Sequence, residues 1–284
     1  MQLDSGRSPT ADRCTAATAA APEPACGDDL AALEFRASAG LHLVVGGASG
    51  FGFETARWLA RQGATKLLLA ARRGALDAEL APAAQTLCEA GVEVIVADGG
   101  SRDETVLLAQ PHADTVLSAP RGRASQMNAG AAQARGEVVL FLHADTQLPA
   151  MADQRVLEAI GSGFLWGRFD VRISGRFWML RVIAVFMNAR SRWSGIATGD
   201  QAMFVERKAF ERVGGFPEQP LMEDIELSKR LRSLAPPACL RSKVTTSGRR
   251  WESRGVWRTI FLMWRLRWRY WRGEAPERLA EAYR

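Results

Sequence analysis

Apolar positions along this chain fall into short continuous runs, with stretches of helical spacing between them. "LHLVV" (41–45), "KLLLAA" (66–71), "VEVIVAD" (92–98) and "EVVLFLHAD" (137–145) have the length and apolar continuity of buried strands. "FETARWLARQG" (53–63), "LDAELAPAAQTLCEAG" (76–91) and "GRASQMNAGAAQA" (122–134) read as helices. Strands alternating with helices predict an α/β fold: a mostly parallel, Rossmann-like sheet flanked by helices. Chemistry in such sheets collects where the strands end.

The strand ends carry the candidate chemistry. "VVGGASGFG" (44–52) follows the first strand and precedes a helix, and Gly46, Gly47, Gly50 and Gly52 would let a pyrophosphate approach the backbone at the helix start. The second strand ends in Arg72 and Arg73, which suit either phosphate pairing or a solvated strand end. Asp98 closes the third strand, with Asp103 beyond "GGSR". His143 and Asp145 leave the fourth. Each acid reads equally as a ligand-binding group or as a turn or cap residue.

Residues 41–94 resemble the first two βα units of the short-chain dehydrogenase superfamily, nearest to polyketide ketoreductase domains. The resemblance implies a dinucleotide-like loop at Gly46–Gly52, with Arg72 and Arg73 favouring NADP. That family's proton transfer needs a Tyr-x-x-x-Lys pair. The chain has two tyrosines: Glu274 stands four residues after Tyr270, and Tyr283 is the penultimate residue. NADP is therefore an expected ligand at most, one that is not turned over.

The remainder, about 92–284, resembles the family-2 glycosyltransferases of the GT-A fold, nearest to a bacterial subgroup associated with radical-SAM and arsenosugar genes. "VEVIVADGGSRDET" matches the family's nucleotide-binding strand, and "GRASQMNAGAAQARGEVVLFLHADTQLP" the helix and metal strand. "ATGDQAMFV", "GGFPEQPLMEDIELSKRL" and "SGRRWE" follow in the family's order. The resemblance implies inverting transfer of a sugar from a nucleotide donor to an acceptor hydroxyl, on a small molecule or a lipid. Asp145 and His143 would hold Mn²⁺ or Mg²⁺. His143 stands where the family has its first aspartate, and an imidazole either favours Mn²⁺ or only bonds substrate. Asp98, Asp103, Arg123, Asn128, Arg249, Arg250 and Trp251 would bind the donor, with Ser247 in place of the glutamine of a Q-x-x-R-W element. Asp200 and Gln201 would line the acceptor pocket. Asp224 is the implied general base beside Glu223, although acids in a first helical turn also serve the helix dipole. Where the family opens on a strand and a Pro- and Asn-Glu-bearing turn, this chain has "KLLLAARRG", which implies a fusion that bears on donor binding. An NADP-dependent reductase fragment and a non-catalytic nucleotide-binding protein are the alternative readings.

Charge and composition add an organisation. Residues 1–38 are alanine-rich with scattered prolines and read as a disordered tail. A dinucleotide-binding-like segment follows at 39–94, then a transferase core at 92–240 and an Arg/Trp-rich helical segment at 241–284. From Leu240 onward, twelve Arg and Lys face four Glu, a net of +8 against +6 for the whole chain. Arg258, Arg265, Arg269 and Arg272 share one helical stripe, next to Trp257, Trp264, Trp268 and Trp271. That pattern over 256–272 suits an anionic membrane surface, or a packed helix with solvated arginines. No nucleic-acid-binding motif accompanies the charge. Four scattered cysteines form no metal or disulfide framework, and no apolar run reaches membrane-spanning length. The expected location is the cytoplasm, at most peripheral to the inner face of the membrane.

Overall fold

The computed structural model describes residues 41–45, 66–71, 93–143 and 145–283. The loop at Gly46–Gly52, Arg72, Arg73 and the helices read at 53–63 and 76–91 lie outside the described residues. The strands are β1 (Leu41–Val45), β2 (Lys66–Ala71), β3 (Glu93–Asp98), β4 (Thr115–Ser118), β5 (Val138–His143), β6 (Thr146–Gln147), β7 (Trp166–Ser174), β8 (Met203–Glu206) and β9 (Ala238–Ser247). The described helices are α1 (Thr105–Ala109), α2 (Arg123–Gln133), α3 (Ala152–Gly161), α4 (Met179–Ser194), α5 (Arg207–Arg212), α6 (Glu223–Leu234), α7 (Arg249–Arg254), α8 (Val256–Trp271) and α9 (Pro276–Tyr283).

All nine strands join one sheet, in the order β4-β3-β2-β1-β5-β8-β7-β9-β6. The pairings from β4 across to β5 are parallel, as the alternation of runs predicts. Beyond β5 the sheet is mixed: β5–β8, β8–β7 and β9–β6 are antiparallel, whereas β7–β9 is parallel. The fold class is α/β with helices on both faces. The sheet is mostly parallel, as expected: five of its eight pairings are parallel, and the three antiparallel ones lie beyond β5.

Both faces of the sheet are covered, and the alternation along each strand shows how. Leu140 and Leu142 of β5 join Val96, Phe169, Val171 and Phe204 in one core, closed by Val156 of α3 and by Leu180 and Ala184 of α4. Val139 and Phe141 point the other way, into a core with Ile95, Trp166, Met203, Met127 of α2, Phe210 of α5, and Leu227 and Leu231 of α6. A strand buried on both faces must be apolar at every position, hence the unbroken run in β5. A third cluster pins the C-terminal helices. Leu266 of α8 and Leu279 of α9 pack on Met222 and Ile225 at the head of α6.

Two features of this architecture place the site. β1 and β2 stand between β3, which ends in Asp98, and β5, which ends in His143. Three strand spacings therefore separate those ends, about 14 Å. The head of α6 is held from two sides, by the sheet core and by α8. Phe169 is fully buried and edge-on to Phe204, with ring centroids 5.9 Å apart. Phe169→Ala is expected to lower unfolding free energy by about 3–5 kcal/mol, read from urea denaturation. A loss below about 1 kcal/mol would show that this face of the sheet is not the packed core.

Candidate functional site

At the end of β5, His143, Asp145 and Asp200 bring one ligand atom each within 4.8 Å of one another. His143 Nδ1 lies 3.2 Å from Asp200 Oδ1. Asp200, expected on the acceptor side, thus joins the metal candidates. It sits in a single 3-10 turn, Gly199–Gln201, entered through a capping box between Thr198 and Gln201. Gln201 is fully buried, its side chain turned back to Thr198 and to Asn188 of α4. Enclosure works against the charge on Asp200, but the hydrogen bond and charge of His143, with Arg123 and Arg250, outweigh it and hold the carboxyl below its ordinary range. Asp145 is anchored through its backbone, whose carbonyl accepts the Ser247 N–H (2.9 Å). Two carboxylates and an imidazole form a donor set that fits a divalent cation of the Mn²⁺ type.

Gly199 joins this group to the acidic start of α6. Its N–H donates to Asp224 Oδ2 (2.9 Å), and a Cβ at this position would lie 2.0 Å from His143 Nε2. Only glycine lets the turn carry the imidazole on one side and the carboxylate on the other. Asp224 Oδ1 accepts the Ile225 N–H (2.8 Å), so each oxygen keeps a lone pair for another donor. Glu223 is used differently. It is 1% exposed and forms a close ion pair with Arg123 at the start of α2, while its Oε2 is buried without a hydrogen-bond partner among the described residues. Burial disfavours the Arg123 charge, but Glu223 and then Asp224 more than compensate and raise its pKa. Two non-glycine residues with left-handed backbone flank these elements, Met222 (φ 65°) before Glu223 and Ala202 (φ 47°) after Gln201. Each conformation costs about 1–3 kcal/mol, an expense typical of positions where function fixes the backbone.

The remaining sequence candidates are placed as follows. Asp98 is buried at 4% exposure and engaged by its own loop, accepting the N–H groups of Gly100 (3.0 Å) and Ser101 (2.9 Å) and the Ser101 hydroxyl. Asp103 is exposed on that loop. Asn128 clips α2 to the segment before α6: its Nδ2 donates to the Phe216 carbonyl (2.8 Å) and its Oδ1 accepts the Phe216 N–H (2.9 Å). Arg249 and Arg250 open α7. Arg250 lies 4.6 Å over the Tyr283 ring and acts on Asp200. Trp251 is half-buried against the first core.

Two arginines absent from the sequence reading also face the acids. Arg190 near the end of α4 is pushed down to about 10, first by burial and then by Arg267, while Asp224 acts the other way. Arg267 of α8 is likewise lowered by burial, against the pull of Asp224 and Asp200. The available signal was position: Arg267 falls off the basic stripe, beside the inward-facing Leu266.

With this geometry in hand, the comparisons with known proteins show what the chain is similar to. Residues 77–216 match the family described as "Glycosyl transferase family 2", and residues 40–110 match the KR domain; the two matches overlap over 77–110. The chain thus carries a region similar to the family-2 glycosyltransferases, overlapped at its start by sequence similar to the KR domain. Among curated relatives, a probable glycosyltransferase (YdaM) of Bacillus subtilis is 25% identical over 205 residues, 64% of this chain and 47% of that protein. The beta-monoglucosyldiacylglycerol synthase of a Synechocystis strain is 28% identical over 193 residues, 58% of this chain and 40% of that protein. The chain therefore spans less than half the length of either relative. Solved structures that resemble it include a mannosyltransferase of Pyrobaculum calidifontis in complex with GDP-Man and Mn²⁺ (17% identity, 82% of this chain and 77% of that one, TM-score 0.46). S. aureus TarS is another (14% identity, 73% and 60%, TM-score 0.42).

Gly199→Ala tests the site directly, because its methyl group must displace the His143 ring. Mn²⁺ affinity, read by calorimetry, is expected to fall about 10- to 100-fold, the usual loss when a ligand's support is disturbed. Unchanged affinity would remove His143 from the cation group.

Proposed function

We propose that the chain transfers a sugar from a nucleotide-sugar donor to an acceptor hydroxyl, with inversion at the anomeric carbon. The observation that carries the reading is the turn at Gly199, which sets a candidate cation group and a carboxylate with free lone pairs on two sides of one residue. His143, Asp145 and Asp200 would hold a divalent cation, which when bound neutralises the charge that develops on a diphosphate leaving group. Arg123 and Arg250 both act on Asp200 and would pair with diphosphate oxygens. Asp224 receives the proton of the acceptor hydroxyl as that oxygen attacks the anomeric carbon. Glu223, tied to Arg123, positions the donor-side cation and does not take the proton. Asp98 organises its loop, and a donor that reaches both it and the cation group must extend across β2 and β1. In this reading KR-like sequence supplies those two central strands, as a fusion would.

Tyr270 supports transfer over ketone reduction. Its hydroxyl donates to Glu226 (3.1 Å), and Lys229 lies 4.7 Å above its ring. Burial and Glu226 raise its pKa, despite a hydrogen bond from Gln219. A reductase tyrosine needs the opposite shift. NADP, if held at the dinucleotide-like loop, is a ligand and not a reactant in this reading.

Asp224→Asn keeps the hydrogen-bonding shape but cannot take a proton. Sugar-transfer or donor-hydrolysis rates with a panel of UDP- and GDP-sugars and Mn²⁺ are expected to fall about 10²- to 10⁴-fold, with donor affinity near that of the unaltered protein. An unchanged rate would reduce the acidic pair to a helix start. Steady NADPH consumption with a panel of ketones would overturn the transfer reading.

A second part of the proposal concerns where the protein works. On α8, Trp257, Phe261, Trp264 and Trp271 are at least 60% exposed, beside Arg258 and Arg265, which line a groove of about 700 Å³ with Phe261 and Leu262. Trp178, Phe186 and Trp193 of and just before α4 are exposed as well. No helix among the described residues is long and apolar enough to cross a membrane. Tryptophans beside arginines suit docking in the headgroup region of an anionic leaflet, where each basic side chain contributes about 1 kcal/mol. Co-sedimentation with phosphatidylserine vesicles, absent with phosphatidylcholine and lost in Trp264→Ala/Trp271→Ala, is the expected result. Equal sedimentation of the double variant would exclude this face.

A further inference from the structure

The groove along α8 has a chemistry more selective than general contact with a leaflet. Gly255 separates α7 from α8 in a left-handed conformation (φ 84°) that glycine adopts freely. Arg254 at the end of α7 and Arg258 in the first turn of α8 both line the groove. Arg258, Phe261, Leu262 and Arg265 then follow at helical spacing on one face of α8, so arginines flank an apolar centre. Arg258 and Arg265 stand two turns apart, about 10 Å along the axis.

The donors that this space offers are guanidiniums. Thr259 Oγ1 donates to the Gly255 carbonyl (2.8 Å) and Ser253 Oγ to the Arg250 carbonyl (3.3 Å), so both lining hydroxyls are committed. Arg254 Nη1 donates to the Tyr283 carbonyl (3.3 Å) and keeps its other N–H groups on an exposed side chain. Arg258 and Arg265 are exposed and have no hydrogen-bond or ion-pair partner among the described residues. No carboxylate of those residues lines the groove. Three positive charges with no acid between them favour an anion from outside the chain.

The apolar wall gives the groove a direction. Leu262 packs inward on the cluster of Met222, Ile225 and Leu266, whereas Phe261 is 63% exposed and edge-on to Trp264, with ring centroids 6.5 Å apart. The wall therefore runs on into the tryptophan face. At about 700 Å³ the groove has the size of pockets that hold a single small molecule.

We infer that this groove binds one anionic lipid, whose phosphate pairs with Arg254, Arg258 and Arg265 and whose chains leave past Phe261 into the leaflet that the tryptophans enter. The lining narrows the headgroup. Choline, ethanolamine and serine headgroups bring an ammonium, and the groove has no carboxylate to meet it. A phosphomonoester brings no ammonium, carries about −1.5 to −2 charge near neutral pH, and offers three oxygens to the guanidinium forks. The lipid is therefore of the phosphatidic acid type. The inference rests on the leaflet-docking part of the proposal and adds to it a lipid held one to one; it does not involve the transfer step.

The test uses the full-length protein and lipids short enough to stay monomeric in water. Calorimetry with dihexanoyl phosphatidic acid is expected to show one lipid bound per chain, with dihexanoyl phosphatidylcholine unbound. Glycerol 3-phosphate, which has the phosphate without the chains, should bind at least about tenfold more weakly. Arg258→Gln and Arg265→Gln should each weaken the lipid about tenfold, the loss of a charge-assisted hydrogen bond. Both positions are exposed and unpartnered, so these variants should melt with the unaltered protein. Trp264→Ala/Trp271→Ala, at positions outside the groove lining, should bind the monomeric lipid normally while losing sedimentation with vesicles. Equal binding of the phosphatidic acid and the phosphatidylcholine, or Gln variants that bind the acid normally, would overturn the site. Glycerol 3-phosphate as tight as the lipid would make this a free-phosphate site and contradict the inference. If the monomeric lipid binds through the arginines while no vesicle sediments the protein, leaflet docking falls and the lipid site stands. If vesicles sediment the protein through its tryptophans while no monomeric lipid binds, the lipid site falls and leaflet docking stands.

Discussion

The N–H of Gly199 is bonded to Asp224 at 2.9 Å, and the space where its side chain would stand is taken by the His143 ring. This contact fixes the spacing between the end of β5 and the head of α6, two elements that the sheet alone would leave free to slide. Asp200, next in the chain, is carried into reach of His143 and Asp145 by the same turn. The turn is held in its own right by the Thr198–Gln201 capping box and by the buried Gln201 side chain. Backbone strain at Ala202 and Met222 is confined to the two ends of the arrangement. A small shift in any of these parts would separate the cation group from the base.

Charge balance is the second constraint. Asp200 and Asp145 beside His143, and Asp224 and Glu223 at the head of α6, bring carboxylates to two sides of Gly199, and neighbouring carboxylates repel one another unless cations intervene. Arg123 meets Glu223 directly, and Arg250 and His143 act on Asp200. Arg190 and Arg267 complete the surround from α4 and α8. The C-terminal helices therefore do more than present tryptophans outward. Through Leu266 and Leu279 they close the head of α6, and through Arg267 they add charge to it.

The parallel half of the sheet was legible from the continuous apolar runs at 41–45, 66–71, 93–98 and 138–143, and in β5 that continuity follows from burial on both faces. β7 was harder to read. It carries Arg168 and Asp170 in mid-strand, where their mutual ion pair and Arg192 make buried polar positions tolerable, so its apolar pattern is interrupted. His143 and Asp145 were singled out by the strand they leave, whereas Asp224 and Arg123, both at helix starts, were singled out only by the family resemblance. The grouping of Asp200 with the metal candidates depends on a 57-residue separation closed by the fold. Asn128, read as a donor contact, is seen with both ends of its amide on the Phe216 backbone, a use no local pattern announces. Placing β1 between β2 and β5 also lay beyond the sequence, since strand order depends on crossovers and not on the strands themselves.

The central claim is that the cation group and Asp224 form one site for a nucleotide sugar. Anomalous diffraction from crystals grown with Mn²⁺ and a nucleoside diphosphate tests it most directly. The account requires a Mn²⁺ peak bounded by His143, Asp145 and Asp200, with diphosphate oxygens on the metal and Asp224 facing the open side. A peak elsewhere, or a diphosphate seated at the Gly46–Gly52 loop with the His143 group empty, would contradict it.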